Sequence, residues 1–189
     1  MDAKLAILLS SIACVFNTIG LAIPYWLAAS KSEAGQSVSV NMGLWSVCVD
    51  AAGPVLTMDT CYAYDDPYIN DANSVPSVVL ATRYIEIVAS LMMCTSTIWG
   101  IIKTVLHTPT ALYTKPSGVK CIIAGILALV GCILFATNSD IKTLVSTAGS
   151  GFHEHAGFAM CIVAGVLSLV SGVLYMLATK ETPQHKQFA

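Results

Sequence analysis

Charge is scarce in this sequence. Of its 189 residues, 11% are Asp, Glu, Lys or Arg, less than half of the roughly one quarter usual in soluble domains. A chain this poor in solvating side chains, yet 56% hydrophobic, needs apolar stretches that lipid covers instead of water. A net charge of −2 supplies no basic field, which argues against a nucleic-acid partner. Cys-x-x-Cys pairs are missing, and with them the chemistry of membrane thiol oxidoreductases. Nothing assembles a nucleophile with a base or a metal, so we expect no enzyme activity, no catalytic residue, no metal and no cofactor. Asn-x-Ser/Thr sequons are missing too, so N-glycosylation is not expected. There are no internal repeats and no low-complexity tracts.

What the chain does have is four long apolar runs. Crossing a hydrocarbon core of about 30 Å at 1.5 Å per residue takes roughly 20 residues. Residues 5–27, 78–102, 119–137 and 157–179 are each long enough. The first run ends in Pro24-Tyr25-Trp26 and not in a small-x-small cleavage site, so it reads as a retained helix with a belt aromatic. Between the runs lie a long first outer loop, 28–77, a short basic connection, 103–118, and a second outer loop, 138–156. Residues 180–189 form a tail. Lys4, Lys103, Lys115, Lys120, Lys180 and Lys186 fall on one side of this arrangement, and Lys31, Arg83 and Lys142 on the other. The positive-inside rule then places both termini in the cytoplasm of a multi-pass plasma-membrane protein.

Only Cys48 and Cys61 of the seven cysteines lie in a loop. Facing an oxidising compartment, they should pair. Val38, Val40, Met42 and Leu44 alternate with Ser37, Ser39, Asn41 and Gly43, which is strand periodicity. Gly53-Pro54 is a turn signal, and residues 55–64 carry the Val, Thr and Tyr of a returning strand. The two cysteines lie nearly equidistant from that turn, so a cross-strand bridge is geometrically plausible. Cys14, Cys94, Cys121, Cys132 and Cys161 fall within helices, where a thiol acts as a small hydrophobe. The expected fold is membrane α-helical: one domain, a four-transmembrane-helix bundle carrying a small extracellular antiparallel β-sheet formed mainly by the first outer loop.

Trp26, then Gly43-Leu44-Trp45, then Cys48 and Cys61, with Arg83 at the outer end of the second span, resemble the claudin signature. The resemblance is to the claudin superfamily, which includes the peripheral myelin, epithelial membrane and stargazin-like proteins, and it covers essentially the whole chain as a divergent member. It implies a cell–cell junction protein that associates with itself, with other claudin-like proteins and with the bilayer. Such a protein forms a paracellular barrier or a cation-favouring channel. It also implies that Arg83 anchors the first loop. The alternative is an auxiliary subunit or organiser of a membrane receptor or channel. The sequence departs from the pattern at twelve residues between the two cysteines, at a second outer loop without aromatic-x-Asn-Pro, and at Gln187-Phe188-Ala189 in place of the Tyr-Val end that binds PDZ scaffolds.

Tetraspanins and gap-junction proteins fit worse, because their outer-loop cysteine patterns differ. The first outer loop holds six carboxylates against one lysine, a net −5. These either solvate the surface or line a cation path; Asp50, Asp59, Asp65 and Asp66 are the candidates for selectivity. Gly43-Leu44-Trp45, apolar within a polar loop, reads as a wedge packing the sheet on the bundle or the lipid surface. Arg83 and Glu86, three residues apart, share a helix face, where they either pair or snorkel to the outer interface. His153-Glu154-His155 lacks a third partner for a metal and reads as polar residues at the outer end of the fourth helix. Ala164, Ser168 and Gly172, and likewise Ala124 and Ala128, recur every four residues. This spacing lets helices approach closely, within one bundle or between copies.

Overall fold

A computed structural model describes residues 3–33, 36–53, 57–64, 76–106, 110–138 and 153–178. Four helices run through it: α1 (Ala3–Ala22), α2 (Ser77–Leu106), α3 (Thr110–Thr137) and α4 (Ala156–Ala178). Each is long and apolar enough to cross a membrane. The helices form a ring, α1 beside α2, α2 beside α3, α3 beside α4, and α4 back against α1.

The bundle is built inside-out relative to a soluble protein. Leu8, Leu91, Ile98, Ile126, Ile133 and Val173 face outward and are exposed. The interior holds small and polar residues, among them Ala6, Ser10, Asn17, Ala124, Ser168 and Ser171. Lipid is as good a solvent for Ile and Leu as a protein core is, so association rests on close packing and interhelical hydrogen bonds. The α3–α4 contact shows the first. A Cβ on Gly125 would lie 2.7 Å from the Gly165 carbonyl oxygen, and one on Gly172 would lie 2.8 Å from that of Gly118. Ala164 and Ser168 are fully buried, Ala124 and Ala128 are buried in a cluster with Ala13, Ala89 and Met93, and Ser168 Oγ donates to the Cys121 carbonyl at 2.8 Å. The small-residue repeats are therefore spent inside one bundle.

The α1–α2 contact is instead a polar seam. Thr97 Oγ1 bonds Ser10 Oγ at 3.1 Å, Thr18 Oγ1 meets Ser90 Oγ at 3.1 Å, and Asn17 Nδ2 donates to the Glu86 carbonyl at 3.3 Å. Cys14 and Cys94 form a disulfide within this seam, their Cα atoms 5.7 Å apart. The expectation that both remain thiols is corrected: residues eighty positions apart are brought side by side by helix pairing. Cys121, Cys132 and Cys161 are buried free thiols.

The first helix stops at Ala22 and not at residue 27. Pro24 has no amide hydrogen and disfavours helical geometry at Ile23, so the chain turns there. It continues directly as β1 (Leu27–Glu33), followed by β2 (Gln36–Met42), β3 (Ser46–Ala52) and β4 (Thr57–Ala63). With β5 (His153–Glu154) they form one antiparallel sheet in the order β4-β3-β2-β1-β5. Two of these strands had no sequence signal: β1 is rich in Ala and Ser, and β5 is two residues long. His153-Glu154 thus forms an edge strand just ahead of α4, with Glu154 opposite Leu27. Among the described residues no group of three His, Cys, Asp or Glu side chains could hold a metal.

Candidate functional site: the junction between sheet and bundle

The last four carbonyls of a helix have no partner within it and need one elsewhere. At the end of α1, Ile19 O accepts the Ile23 amide at 3.0 Å. Two tryptophans take the next two. Trp26 Nε1 donates to Gly20 O, and Trp45 Nε1 to Leu21 O, each at 2.7 Å. The indoles cap the helix and in the same contact fix the first outer loop to it.

Trp26 is fully buried, edge-on to Phe135 at 5.0 Å and to Phe158 at 6.0 Å. Its backbone N–H donates to Met42 O, and its carbonyl accepts the His155 amide. The belt reading of Trp26 is corrected: it is the aromatic plug between bundle and sheet, while Tyr25 is the exposed ring. Gly43 passes so close to Pro24 that a Cβ there would lie 2.5 Å from the proline Cα. Leu44 follows, fully buried in the same cluster as Trp26, Val79 and Phe135.

Arg83, near the start of α2, closes the site from below. Its Nε and Nη2 both donate to the Leu44 carbonyl, at 3.1 and 2.5 Å. Its guanidinium lies 4.5 Å from the centre of the Trp45 ring and 5.9 Å from that of Tyr64. The pairing of Arg83 with Glu86 is not what the structure contains; Arg83 turns outward to the loop, and Glu86 turns into the bundle, where it is fully buried. Tyr64 completes the junction. Its hydroxyl donates to Gly43 O at 3.0 Å, and its amide to Trp45 O at 3.2 Å. Burial pushes the Tyr64 phenol up to about 12, with the Arg83 charge partly opposing. Tyr64 was missed in the sequence, where a tyrosine at the end of a returning strand carries no distinguishing signal.

Above the junction, Cys48 and Cys61 are opposite each other in the β3–β4 register and are joined by a disulfide. Two residues further on, Asp50 faces Asp59 across the same ladder, and Ser39 Oγ donates to Asp50 Oδ2 at 3.3 Å. Two carboxylates are thus neighbours on one face of the hairpin. Asp65 and Asp66 lie outside the described residues.

A family model described as lipoma HMGIC fusion partner-like protein matches residues 3–164. That range takes in α1, α2, α3, the whole sheet and the start of α4. No curated protein matches the chain. The match corrects the claudin resemblance: this is a tetraspan family related to claudins but distinct from them, and no claudin model matches. The physical reason lies in the junction itself. Trp26, Gly43, Leu44, Trp45 and Arg83 do the mechanical work of seating a sheet on four helices, so they mark an architecture and not one branch of it.

Proposed function

This chain belongs to the lipoma HMGIC fusion partner-like family, and on that premise we propose that it is an auxiliary subunit or organiser of a membrane receptor or channel. The observation that carries this reading is the rigid seating of the outer sheet. Two indole caps, the Arg83 clamp and the Tyr64 hydroxyl hold it in one orientation on the bundle. Beyond that seat, the sheet offers apolar side chains to its surroundings: Val38 and Met58 are 42% and 39% exposed. Asp50 and Asp59, in the next cross-strand row, add acidic character on the opposite face of the sheet. A fixed sheet with exposed apolar side chains on one face and a carboxylate pair on the other suits lateral or end-on contact with another membrane protein's ectodomain.

The reading includes an orientation, supported by the distribution of basic residues: both termini in the cytoplasm and the sheet outside. It includes no reaction and no cofactor.

The test is expression of the tagged full chain at the surface of cells without tight junctions, followed by cross-linking and purification. A receptor or channel recovered in fixed stoichiometry supports the reading. Its loss in the Arg83→Ala variant, with surface expression retained, ties the contact to the seated sheet. Strands at cell contacts by freeze-fracture, with changed transepithelial conductance and no recovered partner, would overturn it.

A further inference from the structure

Glu86 lies about 14 Å along α2 from its first residue, at 1.5 Å per residue, and is fully buried. Its position is built for it. A Cβ on residue 131 would lie 2.6 Å from Glu86 Oε1, so in this arrangement the carboxyl occupies the space beside Gly131 that a side chain would take. Cys132 Sγ approaches the same oxygen at 3.8 Å. Asn17 Nδ2 donates to the Glu86 main-chain carbonyl at 3.3 Å, and the Asn17 side chain also lies beside the Glu86 carboxyl.

Two buried oxygens in this place have no hydrogen-bond donor among the described residues: Glu86 Oε2 and Asn17 Oδ1. Both are acceptors, and their side chains are in contact. Unsatisfied buried acceptors are costly, and an ionised carboxylate without a partner inside a membrane bundle is costlier still. Among the described residues no cation is recorded against it. The groups that face it are Asn17 from α1, where nearby Cys14 is held in its disulfide, Cys132 from α3 and Cys161 from α4. On its own helix, Arg83 is turned away to Leu44 O. One hydrogen placed on Oε2 and aimed at Oδ1 satisfies both orphans at once.

We propose that Glu86 is a proton-binding site inside the bundle, its carboxylic acid hydrogen donated to Asn17 Oδ1 as a tie between α1 and α2. The tie sits in the polar seam, between the Thr18–Ser90 contact and α3. Removing the proton leaves a charged carboxylate beside a second unsatisfied acceptor, so the seam is closed in the protonated state and loosened without it. This inference stands independently of which partner the outer sheet binds.

The experiment is infrared spectroscopy on the full chain in nanodiscs at pH 7, with ¹³C-labelled glutamate. The sequence has four glutamates, Glu33, Glu86, Glu154 and Glu181, and Glu86 is the one in a described helix. A label-sensitive carbonyl stretch of a neutral carboxylic acid is expected in the wild-type chain. It is lost in Glu86→Gln and shifted in frequency in Asn17→Leu. Glu86→Gln should keep the wild-type unfolding temperature, because its amide N–H makes the same bond to Oδ1. Absence of the neutral-acid band in the wild-type chain overturns the proposal whether or not either variant folds. So does a wild-type unfolding temperature that rises with sodium at constant ionic strength, which marks a bound cation in place of the proton.

Discussion

At the Arg83 guanidinium, two hydrogen bonds to the Leu44 carbonyl and a stacked Trp45 indole act on the same few atoms. Lysine offers a point charge without the planar stack or the fork. Arg83→Lys is therefore expected to lower unfolding free energy by about 1–2 kcal/mol, read by thermal unfolding in detergent. Trp45→Phe keeps the ring and removes the donor to Leu21 O; the expected loss is about 1 kcal/mol. Tyr64 gives a pH signature. Its phenol is raised from 10.0 to about 12 in the folded chain, so the neutral form is the one the fold favours. The stability this contributes is fully present below pH 10 and is lost as pH rises from 10 through 12. Unfolding temperatures measured from pH 9 to 12 should fall more steeply in the wild-type chain than in Tyr64→Phe. Equal slopes would mean that the junction does not bury the phenol.

The β3–β4 hairpin is the element most dependent on a single bond. β4 is an edge strand, its side chains are largely exposed, and Cys48–Cys61 ties it to β3 across thirteen positions. Loop-closure entropy for a cross-link of that span is worth about 3 kcal/mol. The double variant Cys48→Ser, Cys61→Ser should therefore release β4, seen as fast amide exchange over residues 57–63 while α1–α4 stay protected. Asp50 opposite Asp59 works against the hairpin, since like charges directly across a ladder repel. Among the helices, α3 and α4 depend on glycine. Gly125→Val would push its side chain into the Gly165 carbonyl and the Leu169 side chain. Overpacking of this kind costs about 1–3 kcal/mol, and a lowered unfolding temperature with retention inside the cell is the expected outcome.

Across the whole molecule, the interior is assembled from two different kinds of helix contact. α3 and α4 meet through glycine, alanine and serine; α1 and α2 meet through hydroxyls, Asn17, Glu86 and a disulfide. Peptide mapping of the non-reduced protein should recover Cys14 linked to Cys94 and Cys48 linked to Cys61, with Cys121, Cys132 and Cys161 as thiols. Free thiols at Cys14 and Cys94 would overturn that link, and a linkage between Cys132 and Cys161 would overturn their assignment as thiols. The sheet is seated over the end of this bundle by contacts drawn from α1, α2, α3 and α4 together, through Gly20, Arg83, Phe135 and Phe158.

The spans, the hairpin around Gly53 and the special character of Trp26, Gly43, Leu44, Trp45 and Arg83 were legible in the sequence. Hydropathy, turn chemistry and alternation are local properties, and local patterns are enough to reveal them. Branch identity was not legible from the same motif, because residues that seat a sheet on a bundle recur wherever that seat is built. Strands β1 and β5, the roles of both indoles as helix caps, Tyr64, the Cys14–Cys94 link and the separation of Glu86 from Arg83 were decided only by tertiary structure. Each depends on a partner distant in sequence. Leu27 becomes strand because Met42 and Glu154 lie beside it, and Glu86 faces inward because Gly131 leaves room for its carboxyl.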